Sequence, residues 1–186
     1  MKRTDPRTLA VLFAALAVFP SQAAVLITQE EALALAFPEA EVVRHTAYLD
    51  DAQLESARGK AGRGVEFPSA VVPYYIATKD GALRGVAYFD THIVRSKAET
   101  VMVVIDPRGR IARIEVLAFD EPPEYLPRPA WLRQFDGEAL TDQLALKRAI
   151  RPMTGGTLTA HAILRASRRI LAFHTVIAPF EQQDAP

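Results

Sequence analysis

Cysteine is absent from the whole sequence. Disulfide staples, thiolate zinc sites, iron–sulfur clusters and thioether haem attachment are excluded with it. An excess of either charge is also missing, since 22 basic residues balance 22 acidic ones. Nucleic-acid binders normally carry a basic excess, so this balance argues against that class of partner. Long apolar runs are scarce. The clearest one, Leu9 to Phe19, falls well short of the roughly 20 residues needed to span a bilayer. What is left for chemistry is carboxylates, hydroxyls, four histidines and any bound cofactor. With 49% apolar residues the chain is a globular one, long enough to bury about 70% of its unfolded surface without covalent staples.

The start of the chain reads as an address. Lys2, Arg3 and Arg7 precede the apolar run, Pro20 ends it, and Ser21-Gln22-Ala23 places small residues where a signal peptidase cuts. Residues 1–23 are therefore expected to be a signal peptide cleaved after Ala23, delivering the protein to the periplasm or another exported location. Cleavage removes three basic residues and one acidic residue, which leaves the mature chain mildly acidic.

The mature chain divides into an expected helical segment and flexible loop over 24–66, a main domain over 67–178 and a tail over 179–186. Thr28 and Glu31 form a capping-box pattern that opens a helix through Leu35. Asp50-Asp51 starts a second helix, Ala52 to Arg58. Gly59 to Gly64 then reads as a mobile basic loop, because its glycines lack the spacing of a phosphate loop. Strands follow at Val72–Thr78, Leu83–Val94, Thr100–Ile105 and Ile111–Phe119. Tight turns at Lys79-Asp80-Gly81 and Asp106-Pro107-Arg108-Gly109 join them in hairpins. In the last strand Ala112, Ile114, Val116 and Ala118 share the expected core face. Beyond the proline-rich stretch Glu121–Pro129, the pattern predicts a helical turn or two at Ala130–Phe135 and a helix over Leu140–Ala149. A long helix follows from Thr157 to about Thr175, with Ile163, Ala166, Ile170 and Leu171 at helical spacing. The fold class is α+β, an antiparallel sheet flanked by helices.

The segment Thr154-Gly155-Gly156-Thr157-Leu158-Thr159 carries the most chemical information. Glycines at the mouth of a helix let a ligand approach the backbone, and the first helical N–H groups with the helix dipole favour a phosphate there. The same residues also suit an ordinary helix N-cap.

This segment resembles the Ser/Thr-Gly-Ala-Thr-x-Ser/Thr motif of the FMN-binding domain family of the NqrC/RnfG type. The likeness covers about residues 70–175. It includes the hairpin Thr100–Phe119, Glu121-Pro122 as the family's Glu-x-Pro-type loop, and Gln134-Phe135-Asp136-Gly137 as its Phe-x-Gly. It implies that the FMN phosphate is esterified to Thr157 by a Mg²⁺-dependent flavin transferase using FAD, so the chain is acceptor and not catalyst. Thr154, Gly155, Gly156, Leu158 and Thr159 would complete the FMN-binding segment. Two positions depart from the pattern: Arg151 stands where the family has an acidic residue, and Gly156 stands where it has alanine.

Glu121 and Pro122 are candidates to border the flavin ring, with Tyr125 and Trp131 offering aromatic faces; the alternative is a rigid proline-rich loop with core aromatics. Arg95 and Lys97 read as a solvated turn, with contact to the flavin pyrimidine or a partner as the alternative. The four histidines show no metal-binding spacing, although His161 lies one turn after Thr157 on the same helix face. No Ser-His-Asp set is defensible. The expected function is an exported electron carrier whose partners are the flavin transferase and a membrane redox complex or other carriers. The alternatives are a flavin-dependent oxidoreductase acting on a small substrate, and a non-flavin binding module on the same fold.

Overall fold

The computed structural model describes residues 24–180. The expected signal peptide, residues 1–23, and residues 181–186 of the expected tail lie outside the described residues. The elements in chain order are β1 (Ala24–Val25), α1 (Gln29–Ala36), β2 (Glu41–Tyr48), α2 (Asp51–Ala61), β3 (Val71–Lys79), β4 (Ala82–Ile93), β5 (Ala98–Ile105), β6 (Ile111–Phe119), α3 (Pro129–Leu132) and α4 (Thr157–Ile177). Single 3₁₀ turns occupy Pro123–Tyr125 and Arg133–Phe135. The strands form one antiparallel sheet in the order β1-β6-β5-β4-β3-β2, and helices cover both of its faces. The protein is α+β.

Local chemistry accounts for most of these elements. Thr28 and Glu31 make the reciprocal bonds of a capping box at α1, and Asp50 and Gln53 do the same at α2. Asp80 and Gly81, both at positive φ, form the two-residue turn between β3 and β4, the geometry that matches strand twist. Gly85 is obligatory in β4, where a Cβ would lie 2.6 Å from the Ile105 carbonyl oxygen.

The core has two unequal parts. On one sheet face α4 and α2 bury Ile163, Ile170, Leu171, Ala57 and Ala61 against Tyr74, Val86, Tyr88, Val101, Val103, Ile114 and Val116. Each large side chain so buried contributes about 1.5–3 kcal/mol. On the other face α1 brings Ala32 and Phe37 onto Ala77, Ala87, Met102, Val104 and Leu117. No helix among the described residues is long and apolar enough to cross a membrane.

Four local expectations are corrected. Strand β2 had no predicted counterpart; it pairs with β3 along its whole length at the sheet edge. Its apolar residues serve both faces, Val42 on the α1 side and Ala47 on the α4 side, which erases the alternation that marks a half-buried strand. The supposed mobile loop at Gly59 is helical through Ala61. There Ala57 and Ala61 are fully buried, and the Arg168 guanidinium donates to the Ala61 carbonyl at 2.7 Å. The expected helix over Leu140–Ala149 is a series of turns. Arg168 donates to the carbonyls of Thr141 and Leu144, which a helix would keep for itself, and Lys147 takes a positive φ. In β6 the core face is Ile111, Ile114, Val116 and Phe119, while Ala112 is exposed. Register shifts opposite Val104/Ile105 and Thr100/Val101 insert Ala112 and Leu117 as extra residues, and each insertion flips the side-chain phase.

His174, in the last turn of α4, is buried, and its Nδ1 shares a hydrogen bond with the Tyr88 hydroxyl at 3.0 Å. Burial holds its pKa down at about 4, against an ordinary value near 6.5. The unfolded chain therefore binds a proton that the folded chain refuses. This contribution to stability is complete above about pH 6.5 and is lost as pH falls toward 4, by about 3 kcal/mol. Denaturant titrations at stepped pH should show that His174→Gln, which keeps a polar partner for Tyr88, loses less stability over that interval than the wild type.

Candidate functional site

The α4 helix begins where Gly155, at φ 78°, turns the chain and Gly156 takes the N-cap position. Unlike α1 and α2, α4 has no side-chain cap. Its first N–H groups are therefore available to an external acceptor, and the helix dipole adds positive potential at the same point.

The sheet brings a second wall to this helix end. Phe119 pairs with Glu99, so the chain leaving β6 arrives beside the Val94–Lys97 turn that joins β4 to β5. Glu121 fastens the turn there: its Oε1 accepts backbone N–H bonds from Arg95, Ser96 and Lys97 at 3.1, 2.7 and 2.9 Å. The Ser96 amide foremost, then that of Lys97, holds the Glu121 carboxyl below the usual carboxylate range. The clamp sets one side of an open cleft of about 180 Å³ lined by Val94, Arg95, Glu121, Tyr125 and the helix-start residues Gly155, Gly156, Thr157, Leu158 and Thr159.

Seven of the sequence-predicted residues thus share one cleft: Glu121, Tyr125, Gly155, Gly156, Thr157, Leu158 and Thr159. Thr157 is exposed and Thr159 is buried, so of the two hydroxyls Thr157 is the accessible one. Thr154 and Pro122 adjoin cleft residues in the chain but do not line it. Trp131 belongs elsewhere. It borders a separate depression with Arg151 and Pro152, its Nε1 donates to the Arg151 carbonyl at 2.9 Å, and its ring meets Phe135 edge-on. Its work is to anchor the segment leading to the glycines. Arg151 lines that second depression and not the cleft. His161 is exposed and outside the cleft lining.

Val94 was not singled out, yet it lines the cleft beside Arg95, which sits exposed in the turn where it was expected. The available signal was a charged interruption between two strong strands. Its meaning depended on where Glu121 would lie, and spacing along the chain could not supply that.

The cleft combines N–H donors, the Arg95 charge, an accessible Thr157 hydroxyl and the apolar surfaces of Val94, Leu158 and Tyr125. Such a lining is chemically suited to an anionic group attached to a flat or apolar body. No family model, curated protein or solved structure matches this chain.

The glycine at 156 has a local cause. A Cβ there would fall 1.9 Å from the Met153 Cε, so the Met153 thioether occupies the space an alanine methyl would need. Gly156→Ala should cost about 1 kcal/mol of stability as Met153 is displaced, and Met153→Ala in the same chain should recover most of it in thermal melts. Glu121→Gln exchanges a charged acceptor for a neutral one. Amide hydrogen exchange at Arg95, Ser96 and Lys97 should then quicken roughly tenfold, with exchange in α4 unchanged.

Proposed function

We propose that this protein is an exported flavoprotein that carries electrons on FMN held by a phosphoester to Thr157. The observation that carries the reading is the meeting of the glycine–threonine helix start with Glu121 and Tyr125, from opposite ends of the 121–159 stretch, in one cleft. Resemblance to the NqrC/RnfG-type FMN-binding domain assigns the same residues to the flavin. The α+β architecture, with two antiparallel hairpins preceding the motif helix, accords with that assignment.

The residues suit the group. The uncapped end of α4 and Arg95 would hold the phosphate, Thr157 would supply the ester oxygen, and Tyr125, Val94 and Leu158 would border the ring. FMN, when bound, supplies one- and two-electron chemistry, and the chain orients and shields it. At about 180 Å³ the cleft is smaller than the roughly 300–1,000 Å³ of usual small-molecule sites. A shallow site of this kind gains from a covalent tether, and it offers little room for a separate substrate beside the ring. The carrier reading is favoured over a substrate-specific oxidoreductase for that reason. The partners are a Mg²⁺-dependent flavin transferase during maturation, then a membrane redox complex or other carriers.

Intact-mass measurement of protein from a host that exports it and contains the transferase tests the reading. The expected species begins at Ala24 and carries one FMN less one water. Thr157→Ala should lose that increment and stay folded, whereas Thr154→Ala and Thr159→Ala should keep it. A colourless wild-type protein, or an adduct mapped to Thr154 or Thr159, refutes the assignment.

A further inference from the structure

The alternation of β4 carries polar residues into the core. Tyr88, Asp90 and His92 follow one another on the face that meets α4, and Glu99 of β5 lies directly opposite His92. His92 Nδ1 is 2.8 Å from Asp90 Oδ1, and its Nε2 is 3.0 Å from Glu99 Oε2. Arg169 of α4 closes the row, its Nε donating to Asp90 Oδ2 at 2.8 Å, its Nη2 to Asp90 Oδ1 at 2.6 Å and its Nη1 to the Glu66 carbonyl. The Glu99 side chain is 0% exposed and those of the other three are 8–12% exposed.

Proton counting shows what is unusual here. An imidazole donates from both nitrogens only when it carries two protons; the neutral ring must accept at one of them. The Glu99–His92 bond therefore holds one proton that either partner can own. The remaining oxygen of Glu99, Oε1, is buried and has no hydrogen-bond partner among the described residues, which leaves it open to a proton. Burial alone would lower the His92 pKa, but the bonds to Asp90 and Glu99 outweigh it and raise the value; burial raises that of Glu99. Burial would raise that of Asp90, yet the bonds from His92 and Arg169 hold it below the ordinary range.

The row lies between two openings. His92 is two residues from Val94 in the cleft wall, about 7 Å along the strand. Glu99 is two residues from Lys97, whose amide Glu121 holds. At the other end Asp90 and Arg169 line a second cleft, beside Ser69, Thr91 and Phe173. That cleft puts the far end of the row within reach of water. Around these four groups stand the carboxylate of Asp120, whose amide donates to the Ala98 carbonyl beside Glu99, the Arg95 and Glu121 side chains of the first cleft, Lys97 in the adjoining turn, and the neutral phenol of Tyr88 on the same face.

We infer that the Glu99–His92 pair is a proton-holding site linked to the charge of the group in the Thr157 cleft. With the shared proton on His92, added negative charge in the cleft favours a proton from solvent on Glu99 Oε1, forming a carboxyl O–H that compensates that charge. When the charge is withdrawn, the O–H breaks and the proton returns to water. The inference rests on reading the cleft as a flavin site.

Potentiometric titration of the flavin in the full-length holoprotein at several pH values tests it. Around neutral pH the wild type should take up more protons per reduction than Glu99→Gln, which keeps a partner for His92, and His92→Gln should shift the pH at which uptake changes. In parallel, NMR of the His92 ring in unsubstituted protein should report different surroundings in the oxidised and reduced states, a readout that does not depend on either variant folding. A coloured protein with equal proton uptake in wild type and Glu99→Gln, or with an identical His92 signal in both redox states, overturns the inference and leaves the flavin reading standing. A colourless wild-type protein overturns the flavin reading and this inference with it.

Discussion

Burial of the apolar face of α4 against the antiparallel sheet is the contact on which the other features depend. The helix has no cap of its own, so packing along its length fixes where its N-terminus lies. Packing sets it beside the Val94–Lys97 turn, and Glu121 keeps that turn in place through three backbone bonds. The cleft thus forms where the packed start of the helix meets the clamped turn.

The same packing forces a compromise in the core. Most of the interface is apolar, yet Asp90, His92, Glu99 and Arg169 are enclosed in it. Removing charged groups from water costs several kcal/mol each before their mutual attraction is counted, and an apolar replacement of similar volume is often no less stable. Stability therefore gives no reason for such a group.

Much of the architecture was legible because it rests on short-range chemistry. The capping box at Thr28–Glu31, the Asp80-Gly81 turn and the start of α4 at Thr157 each depend on a few neighbouring residues, and all three stand where the pattern put them. The candidate segment Gly155–Thr159 was legible for the same reason. Errors arose where distant groups intervene. Arg168 reaches across to the 139–150 region and takes the carbonyls a helix would have used, and it also binds the end of α2. Two bulges in β6 shifted its phase, although its run of apolar residues gave no sign of them.

Side-chain identity along the chain determined the main helix, the hairpins, the antiparallel class and the glycine–threonine segment, because periodicity and turn chemistry act over a few residues. Tertiary structure alone decided that Glu121, Tyr125 and Arg95 share a cleft with Thr157 while Trp131 turns to the Arg151 carbonyl. It alone set His92 between two carboxylates, because strand register, and no spacing in the sequence, places Glu99 opposite His92.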